Sequence, residues 1–308
     1  MCIRDRIEDF KPDLVAVFGG DHIYKMDVSQ MVDFHCCNNA IATVAAIPVP
    51  ISEASQFGII QVDKDWRIVG FQEKPKDPTP LPNDKNMALA SMGNYIFNAD
   101  DMLSLLKNDY EQKASSHDFG KDIIPGLVGT KRLYAYNFYS NKIPGQAVSE
   151  KPYWRDVGTL KAFFEANMDL RATQPQLDLY NDKWPIYNYH FSLPPAKFVH
   201  NEDVDTFGLP RIGKAINSIV CDGCIVSGST VTNSVLFNSV YVHSYATVHN
   251  SILLNDVDIG EHCRIRNAII DKHNVIPRNT TIGYDREEDA KRYKVCLLYT
   301  SDAADDLI

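Results

Sequence analysis

Asp21 is the first residue whose position in the sequence indicates chemistry. It directly follows an apolar run at residues 14–18 and the pair Gly19-Gly20. An apolar run bounded by glycine predicts a strand buried on both faces of a parallel sheet, and ligands of open α/β sheets bind at the carboxyl ends of such strands. A carboxylate at that edge is suited to hold a divalent metal over a phosphate. Taken alone, a Gly-Gly-Asp sequence fits a loop cap equally well.

Glu73 and Lys74 form a second candidate group. Segments 58–62 and 66–71 flank an Asp-Lys-Asp turn, which predicts a hairpin whose second strand runs into these two residues. Pro75 is expected to keep Lys74 extended. At the end of a strand the pair can share one ligand, with Lys74 on a phosphate and Glu73 on hydroxyl groups. An exposed ion pair is the alternative.

Asp156 is a third candidate, within Tyr-Trp-Arg-Asp-Val-Gly-Thr at residues 153–159. Thr159 is predicted to cap an amphipathic helix, which places Asp156 in the loop just before that helix. Asp156 would be a second carboxylate for the metal, paired with Asp21. The two aspartates lie 135 positions apart, so spacing alone leaves the pairing open.

His117 and Asp118 lie in a polar segment, residues 115–122, just before a helix predicted to begin near Phe119. Both residue types can serve as ligands. Residues of these types at such a position more often cap the helix, so both interpretations stay open.

The elements between these residues alternate as in an α/β sheet. Asp27 and Gln30 have the spacing of a capping box, and a strand at residues 40–48 follows the helix that they begin. Residues 14–49 thus form one strand–helix–strand unit, which implies parallel strands. Residues 88–97 predict a further strand, and the glycine inside it indicates a close approach of the backbone.

An apolar residue recurs every five or six positions in the last third of the chain. This period predicts a β-helix of hexapeptide repeats whose apolar residues point inward. Cys221 and Cys224 have the spacing of half a zinc site but lack a second pair, which favours packing at a corner. His243 and His249 could form an acyltransferase site between subunits or merely stack. The predicted inward residues are Val220, Val226, Val231, Phe237, Val242, Val248, Leu254, Ile259, Ile265, Ile270, Ile276 and Ile282.

Composition narrows the class of protein. A net charge of −9 argues against a nucleic-acid partner, which normally meets a basic face. No apolar run approaches the roughly 18 residues of a membrane span. The absence of a signal-peptide pattern and seven irregularly spaced cysteines indicate reduced thiols in the cytoplasm.

Several motifs in a fixed order make the chain similar to bacterial glucose-1-phosphate adenylyltransferase, also called ADP-glucose pyrophosphorylase. The resemblance covers residues 7–295. It implies an α/β nucleotidyltransferase with a Rossmann-like mixed sheet, incomplete at its N-terminus, and then a left-handed parallel β-helix. The motifs are GGDHIYKMD at 19–27, FQEKP at 71–75, ASMGNYIF at 90–97, SSHDFGKD at 115–122, YWRDVGT at 153–159 and LPPAKFV at 193–199.

The resemblance implies synthesis of ADP-glucose and pyrophosphate from ATP and glucose 1-phosphate, the first committed step of bacterial glycogen biosynthesis. It further implies a homotetramer regulated by allosteric metabolites. By the same resemblance, Asp21 and Asp156 hold Mg²⁺, while Lys74 grips the phosphate of glucose 1-phosphate and Glu73 accepts hydrogen bonds from glucose hydroxyls.

Further positions are carried over from the family in the same way. Gly58 and Ser91 match positions that line the ADP-glucose site. Lys272 occupies an AMP-binding position where the family often has arginine. A lysine keeps the charge but loses bidentate phosphate contact, which puts inhibition by AMP in doubt.

The expected organisation places a partial catalytic domain at 7–172, a linker at 173–211, the β-helix at 212–283 and a C-terminal segment at 284–295. Residues 1–6 and 296–308 fit no neighbouring element and are expected to be non-native, with the natural chain cut at both ends. The linker is expected to wrap against the protein through Trp184, Tyr187, Tyr189 and Phe191.

Besides Lys272, the chain departs from the family in a second respect. No Gly-x-Gly-x-x-Gly sequence occurs in it, although the family grips ATP phosphates with a glycine-rich loop. The 308-residue chain is therefore expected to be weakly active or inactive. Two alternatives to the adenylyltransferase are a non-catalytic regulatory subunit of the same enzyme and another sugar-1-phosphate nucleotidyltransferase.

Overall fold

The computed structural model describes residues 3–130, 132–146, 152–187, 192–204, 210–295 and 301–302. The chain forms two compact units, residues 1–154 and 155–308. The segments expected to be non-native lie largely outside the described residues. Residues 3–6, however, belong to the helix Ile3–Phe10 of the first unit.

The first unit contains a six-stranded mixed sheet, as the fold class predicts. The strand Leu14–Val17 pairs with Met87–Asn98, the central strand. Apart from Leu14–Val17, the strands lie in the order Ile68–Glu73, Gly58–Val62, Met87–Asn98, Ala42–Pro50 and Leu133–Asn137.

The expectation of adjacent parallel strands is wrong for the start of the chain. Leu14–Val17 and Ala42–Pro50 are both antiparallel to the central strand and pair with the same residues of it from opposite sides. They therefore run in the same direction, but a strand from later in the chain separates them. The parallel pair of this sheet is Ala42–Pro50 with Leu133–Asn137.

The strand Leu14–Val17 is half-buried, with Ala16 exposed, and is not buried on both faces as its apolar run predicts. Among the described residues this strand pairs with the central strand alone. An edge position explains the difference, because a strand with one neighbour is covered less completely than an inner strand.

Side chains of the central strand alternate between two hydrophobic clusters, as the two-residue period of a strand requires. Leu89 and Phe97 belong to one cluster, and Met92 and Ile96 belong to the other. The helices of this unit are Ile3–Phe10, Val28–Cys37, Ala99–Glu111 and Ile124–Leu127, with single helical turns at Ala54–Gln56, Phe119–Ile123 and Phe138–Ser140. No described helix is long and apolar enough to cross a bilayer.

Asp27 caps the helix Val28–Cys37, which confirms the predicted start. Its carboxylate accepts hydrogen bonds from the Ser29 amide at 3.0 Å and from the Gln30 side chain at 2.9 Å. In a capping box the third helical residue would instead accept from the backbone N–H of the cap. Asn141 accepts that hydrogen bond here, at 2.9 Å.

The second unit contains the helix Leu160–Asp169, a coil of short strands and the short helix Arg286–Asp289. Strands of successive coils pair in parallel in three sheets, which confirms the β-helix. They are Lys197–Val204, Lys214–Ile216, Ile219–Val220, Ile225–Ser227, Thr230–Thr232, Val235–Leu236, Tyr241–Val242, Thr247–His249, Ile252–Leu253, Asp258–Ile259, Arg264–Arg266, Ala268–Ile270, Val275–Ile276 and Thr281–Ile282, while Pro210–Ile212, Lys294–Val295 and Ser301–Asp302 join the sheet edges.

Two of the predicted inward residues are wrong. Leu236 and Leu253 point into the coil, whereas their neighbours Phe237 and Leu254 pack on the outside. The helix Leu160–Asp169 covers this face through Phe164 and other apolar residues. A face covered on both sides carries apolar residues at every position, so alternation no longer marks the inward ones.

A column of asparagines turns one corner of the coil. Asn217, Asn233, Asn250 and Asn267 have φ between 47° and 51°, a left-handed conformation that asparagine tolerates better than most residues. Their side chains form a ladder: Asn217 donates to Asn233 and Asn250 donates to Asn267, both at 2.7 Å. The sequence therefore provides both the turn and the hydrogen bonds that the turn needs.

The segment expected to be a linker, 173–211, contains part of the coil. The strand Lys197–Val204 pairs in parallel with Ile225–Ser227. The expectation that Tyr187 packs against the protein is wrong, because it is 89% exposed. Tyr189 and Phe191 lie outside the described residues, and Trp184 is half-buried.

His35 is a buried histidine of the first unit. Its Nδ1 lies 2.9 Å from the Thr43 hydroxyl and its Nε2 lies 3.2 Å from Asn98 Oδ1. Asn98 uses its amide nitrogen as a donor to Ala40 O and Asp101, so its oxygen accepts from His35 and Nδ1 accepts from Thr43. Burial is the main cause that lowers the pKa of His35 below its ordinary value of 6.5.

This lowered pKa predicts a pH-dependent stability. As pH falls through 6.5, the unfolded chain binds a proton at His35 that the folded chain does not bind. The contribution of His35 to the free energy of unfolding is therefore fully present above that pH. Below it the contribution falls by at most about 1.4 kcal/mol per pH unit. We expect the unfolding temperature of His35→Gln to depend less on pH between about 7.5 and 5.5 than that of the wild type.

His262→Gln is the control, because His262 is exposed and stacks on Tyr245. Its pH dependence should follow the wild type. Equal pH dependence of His35→Gln and the wild type would contradict the assignment, as would an NMR titration in which the His35 ring protonates at its ordinary pKa.

Candidate functional site

Glu73 lies at the end of its strand, directly opposite Gly58 in the antiparallel pair. A Cβ atom at Gly58 would lie 2.6 Å from Phe71 Cζ and 3.1 Å from Glu73 Oε2. Only glycine fits there without moving one of these side chains. Gly58 and Glu73, two of the predicted site residues, are thus adjacent in the structure.

The helical turn Phe119–Ile123 closes on Glu73 from another side. A Cβ atom at Gly120 would lie 2.9 Å from Glu73 Oε2. Asp118 caps this helical turn by accepting from the Gly120 and Lys121 amides at 2.8 and 3.0 Å, which confirms its capping interpretation. Burial raises the pKa of Glu73; Asp118 raises it further, whereas Lys74 and Lys121 lower it.

Ser91 and Tyr95 extend this site along the central strand. Ser91 is 9% exposed, and Tyr95 stacks on Phe119 with ring centroids 5.7 Å apart. Burial raises the pKa of Tyr95, its hydrogen bond with Ser91 lowers it, and the negative charge of Glu73 raises it. Carboxylate, hydroxyl and phenol groups therefore meet around one spot, a combination suited to a ligand with several hydroxyl groups.

Lys74 is exposed and adopts a left-handed conformation with φ 42°, so the expectation of an extended residue is wrong. Its amide donates to Phe57 O at 3.2 Å, which holds the turn. The restriction that proline places on the preceding residue disfavours αR and does not exclude positive φ. The turn leaves the ammonium group in solvent next to Glu73.

His117 supports the loop from outside. Its Nδ1 lies 2.6 Å from Asp109 Oδ2, and the Ser115 hydroxyl donates to the other oxygen of Asp109 at 2.5 Å. Both hydrogen bonds lower the pKa of Asp109. His117 has φ 59°, so its left-handed conformation turns the chain into Asp118.

Asp21 is exposed over 63% of its side chain, and its Oδ1 lies 3.6 Å from His22 Nε2. Because the imidazole of His22 fills the space that Cβ atoms at Gly19 and Gly93 would need, each hypothetical Cβ lies 3.1 Å from a ring atom. Trp154 packs edge-on against the same imidazole, with centroids 5.4 Å apart. The close approach predicted at Gly93 is confirmed, with the His22 ring as the neighbour.

Asp156 is the last residue of the strand Trp154–Asp156 and not part of a loop, which corrects the prediction. The strand begins at Trp154, the last residue of the first unit, and forms a two-stranded sheet with His22–Tyr24. The carboxylate of Asp156 accepts from the Gly158 amide at 2.8 Å. Thr159 caps the following helix by accepting from the Ala162 amide at 3.1 Å, as predicted.

The remaining candidates lie in the second unit. Lys272 is exposed, and its neighbour Asp271 lines an open pocket of about 370 Å³ with Gly158, Leu160, Leu254 and other residues of this unit.

Cys224 is fully buried in the coil and donates to Phe237 O at 2.9 Å. Burial raises its pKa to about 11, which disfavours the thiolate that zinc needs. His243 lies 3.1 Å from Asp258, and His249 lies 2.9 Å from Thr232. These contacts favour structural roles for all three residues.

The fold and the site define a nucleotidyltransferase that carries a hexapeptide β-helix. Residues 1–173 match the nucleotidyl transferase family, and residues 194–297 match the GlmU-like, C-terminal hexapeptide family.

The particular family follows from similarity along almost the whole chain. The chain is 53% identical over 289 residues to the glucose-1-phosphate adenylyltransferase of Thermus thermophilus, covering 93% of this chain and 68% of that protein. It is 49% identical over 290 residues to the enzyme of the same name from Anaeromyxobacter sp. (strain Fw109-5), covering 94% and 70%. The chain therefore belongs to the glucose-1-phosphate adenylyltransferase family.

Sequence reasoning missed the contributions of Tyr95, Gly120, His22 and Trp154. Tyr95 lies four residues after Ser91 on the same strand, so the two-residue period could have placed it on the same face. Gly120 approaches Glu73 across a turn, and no local pattern predicts that contact. His22 and Trp154 are far apart in sequence and meet only through strand pairing.

The backbone at Gly93 yields a test of the fit around His22. Gly93 has φ 71°, so alanine would be strained in addition to crowding the imidazole. We expect Gly93→Ala to destabilise the chain by about 1–3 kcal/mol, measured by thermal unfolding. Gly126→Ala is the matched control: it lies in the helix Ile124–Leu127 and its Cβ would contact nothing within 4 Å.

The control should be neutral or stabilising by up to about 1 kcal/mol, because alanine favours the helix. An unfolding temperature for Gly93→Ala at or above that of the wild type would show that the fit around His22 does not constrain this position.

Proposed function

We propose that this chain catalyses adenylyl transfer from ATP to glucose 1-phosphate, which gives ADP-glucose and pyrophosphate. The observation that carries the proposal is its 49–53% identity to enzymes of that name over 93–94% of its residues. The geometry around Glu73 supports the sugar-phosphate half of the reaction. ADP-glucose, the product of that reaction, is the activated sugar of bacterial glycogen synthesis.

The sugar-binding half rests on the groups around Glu73. The partly buried carboxylate of Glu73 accepts hydrogen bonds from glucose hydroxyls, with the Ser91 and Tyr95 hydroxyls beside it. Gly58 and Gly120 keep this space free of side chains. The exposed ammonium of Lys74, on the turn that follows Glu73, binds the phosphate as a point charge.

The chemical step is an in-line displacement. A phosphate oxygen of glucose 1-phosphate forms a bond to the α-phosphorus of ATP, and the bond from that phosphorus to the bridging oxygen of pyrophosphate breaks. No residue has to form a covalent bond to the substrate, so catalysis consists of positioning and charge neutralisation. Lys74 contributes by holding the attacking phosphate in place.

Asp21 and Asp156 are the proposed ligands of Mg²⁺. Their chemistry fits this ion, because carboxylate oxygens are the donors that a hard divalent cation prefers. Asp21 is exposed and directly precedes His22. Asp156 lies two residues after Trp154, whose ring packs on the His22 imidazole. The bound metal would neutralise charge on the transferred phosphoryl group and on pyrophosphate. His22 holds the Gly19–Asp21 turn in position through its contacts with Gly19 and Trp154.

The regulatory and assembly properties of the family complete the proposal. We infer that Lys272 contributes to binding of a phosphorylated effector, with weaker recognition of AMP than an arginine would give. Assembly into a homotetramer and a place in the cytoplasm follow from the same family membership.

The activity is tested by incubating the purified chain with glucose 1-phosphate, Mg²⁺ and either ATP, UTP or GTP. Mass spectrometry and a coupled pyrophosphatase assay measure the two products. We expect ADP-glucose and pyrophosphate in equal amounts. Asp156→Asn should lower the rate by roughly 10²-fold or more through loss of metal binding.

Asp182→Asn, at an exposed aspartate of the second unit, is the control and should keep the wild-type rate. Faster formation of UDP-glucose or GDP-glucose would assign the chain to another sugar-1-phosphate nucleotidyltransferase. Binding of ATP without any sugar-nucleotide product would favour a regulatory subunit.

A further inference from the structure

Two arginines project side by side from one face of the β-helix. Arg264 and Arg266 alternate with the buried Ile265 on the strand Arg264–Arg266, so both side chains point outward and both are exposed. Adjacent strands place Thr247 and Thr281 on either side of Arg264 and His249 beside Arg266. Neighbouring strands are about 4.8 Å apart, so these groups flank the arginines closely.

Tyr284 holds the two guanidinium groups. The Cζ atoms of Arg264 and Arg266 lie 4.3 and 5.5 Å from the centroid of its ring. Cation–π contact engages the flat face of a guanidinium and leaves the N–H groups at its edge free to donate. The arginines are therefore restrained in position while their donors remain available.

The position of Tyr284 is itself fixed by the chain next to it. Gly283 has φ 83°, and a Cβ atom there would overlap the carbonyl oxygen of Arg266. The Gly283 amide donates to Asp289 at 2.8 Å, and Asp289 is only 3% exposed. A buried carboxylate and a tight glycine contact thus bring the tyrosine ring over the arginine strand.

Most of the acidic residues that follow Tyr284 have partners other than the two arginines. Asp285 caps the short helix through the Glu287 and Glu288 amides, and Glu288 pairs with Lys291 at 2.6 Å. Among the residues that the structure describes, no carboxylate forms an ion pair with Arg264 or Arg266 within 4.0 Å. Two restrained guanidinium groups without a counter-charge are suited to an anion.

We propose that Arg264, Arg266 and Tyr284 form a binding site for a phosphoryl group, either inorganic phosphate or a phosphomonoester. Guanidinium edges match phosphate oxygens in bidentate pairs, and a dianion is compensated by two arginines. The flanking Thr247 and Thr281 hydroxyls provide further donors. The net charge of −9 disfavours an extended polyanion, which would need a broad basic surface.

This site is separate from the residues proposed for adenylyl transfer, so neither proposal depends on the other. Chemical modification tests it arginine by arginine. Phenylglyoxal labels exposed guanidinium groups, and peptide mass spectrometry gives the labelling rate of each arginine with sodium phosphate or with sodium chloride at equal ionic strength. At saturating phosphate we expect labelling of Arg264 and Arg266 to slow by about tenfold, which corresponds to roughly 90% occupancy.

Arg278 is the internal control, because it is exposed and lies outside the cluster; its rate should be the same in both salts. Tyr284→Phe should keep the protection and Tyr284→Ala should reduce it, since the ring face restrains the arginines. A second arm replaces inorganic phosphate with glycerol 3-phosphate, and protection at lower concentration by the ester would identify a phosphomonoester as the preferred ligand.

Equal slowing at Arg264, Arg266 and Arg278 would overturn the proposal, because it would show a general salt effect. Unchanged labelling of Arg264 and Arg266 in phosphate would also overturn it and would leave a purely structural stack on Tyr284. The labelling on the wild-type chain decides between these outcomes even if a substituted chain does not fold.

Discussion

Hydrogen bonding of the central strand, Met87–Asn98, to three other strands is the constraint on which the first unit depends. The strands Leu14–Val17 and Ala42–Pro50 pair with it from opposite sides, and Gly58–Val62 pairs with it at Ala90. Its register with Ala42–Pro50 shifts between Val44 and Ala46, opposite the segment that contains Gly93. This irregularity lets the chain pass the His22 imidazole. A regular strand with a side chain at position 93 would collide with that ring.

The same strand connects the two halves of the candidate site. Ser91 and Tyr95 face Glu73 and the loop at Gly120, while Gly93 contacts the histidine that follows Asp21. The carboxylate proposed to bind sugar hydroxyls and the carboxylate proposed to bind a metal thus both lie near one element. The arrangement explains why small residues occur where side chains would otherwise fill the space for a ligand.

Much of this arrangement could be predicted from the sequence where the interactions are local. The caps at Asp27 and Thr159 depend on residues within three positions, and the hexapeptide period reflects the regular inward packing of each coil. The predictions at Phe237 and Leu254 failed because a helix covers that face, which removes the difference between inward and outward positions. The order of strands in the sheet could not be predicted, because the central strand inserts between two earlier strands and no local pattern encodes that event.

The site could be predicted in part for the same reason. The sequence motifs predicted Asp21, Glu73, Lys74 and Asp156 as site residues. The environment of Glu73, however, depends on Gly120 and Tyr95, which come close to it only in the folded chain. Lys74 illustrates the limit of local rules. The proline that follows it predicts an extended residue, yet the hydrogen bond that its backbone N–H donates to Phe57 O holds it at φ 42°. Tertiary contacts decided the conformation at this position of the candidate site.

Binding of glucose 1-phosphate to the purified chain tests the central claim, that the Glu73–Lys74 turn recognises a sugar phosphate. Isothermal titration calorimetry can compare the wild type with Lys74→Gln and with Lys76→Gln, which removes the same charge two residues further along. The account predicts saturable binding that Lys74→Gln weakens by about tenfold or more, as expected for loss of a charge-assisted hydrogen bond, and that Lys76→Gln leaves within about twofold. Equal affinity of the wild type and Lys74→Gln would contradict it.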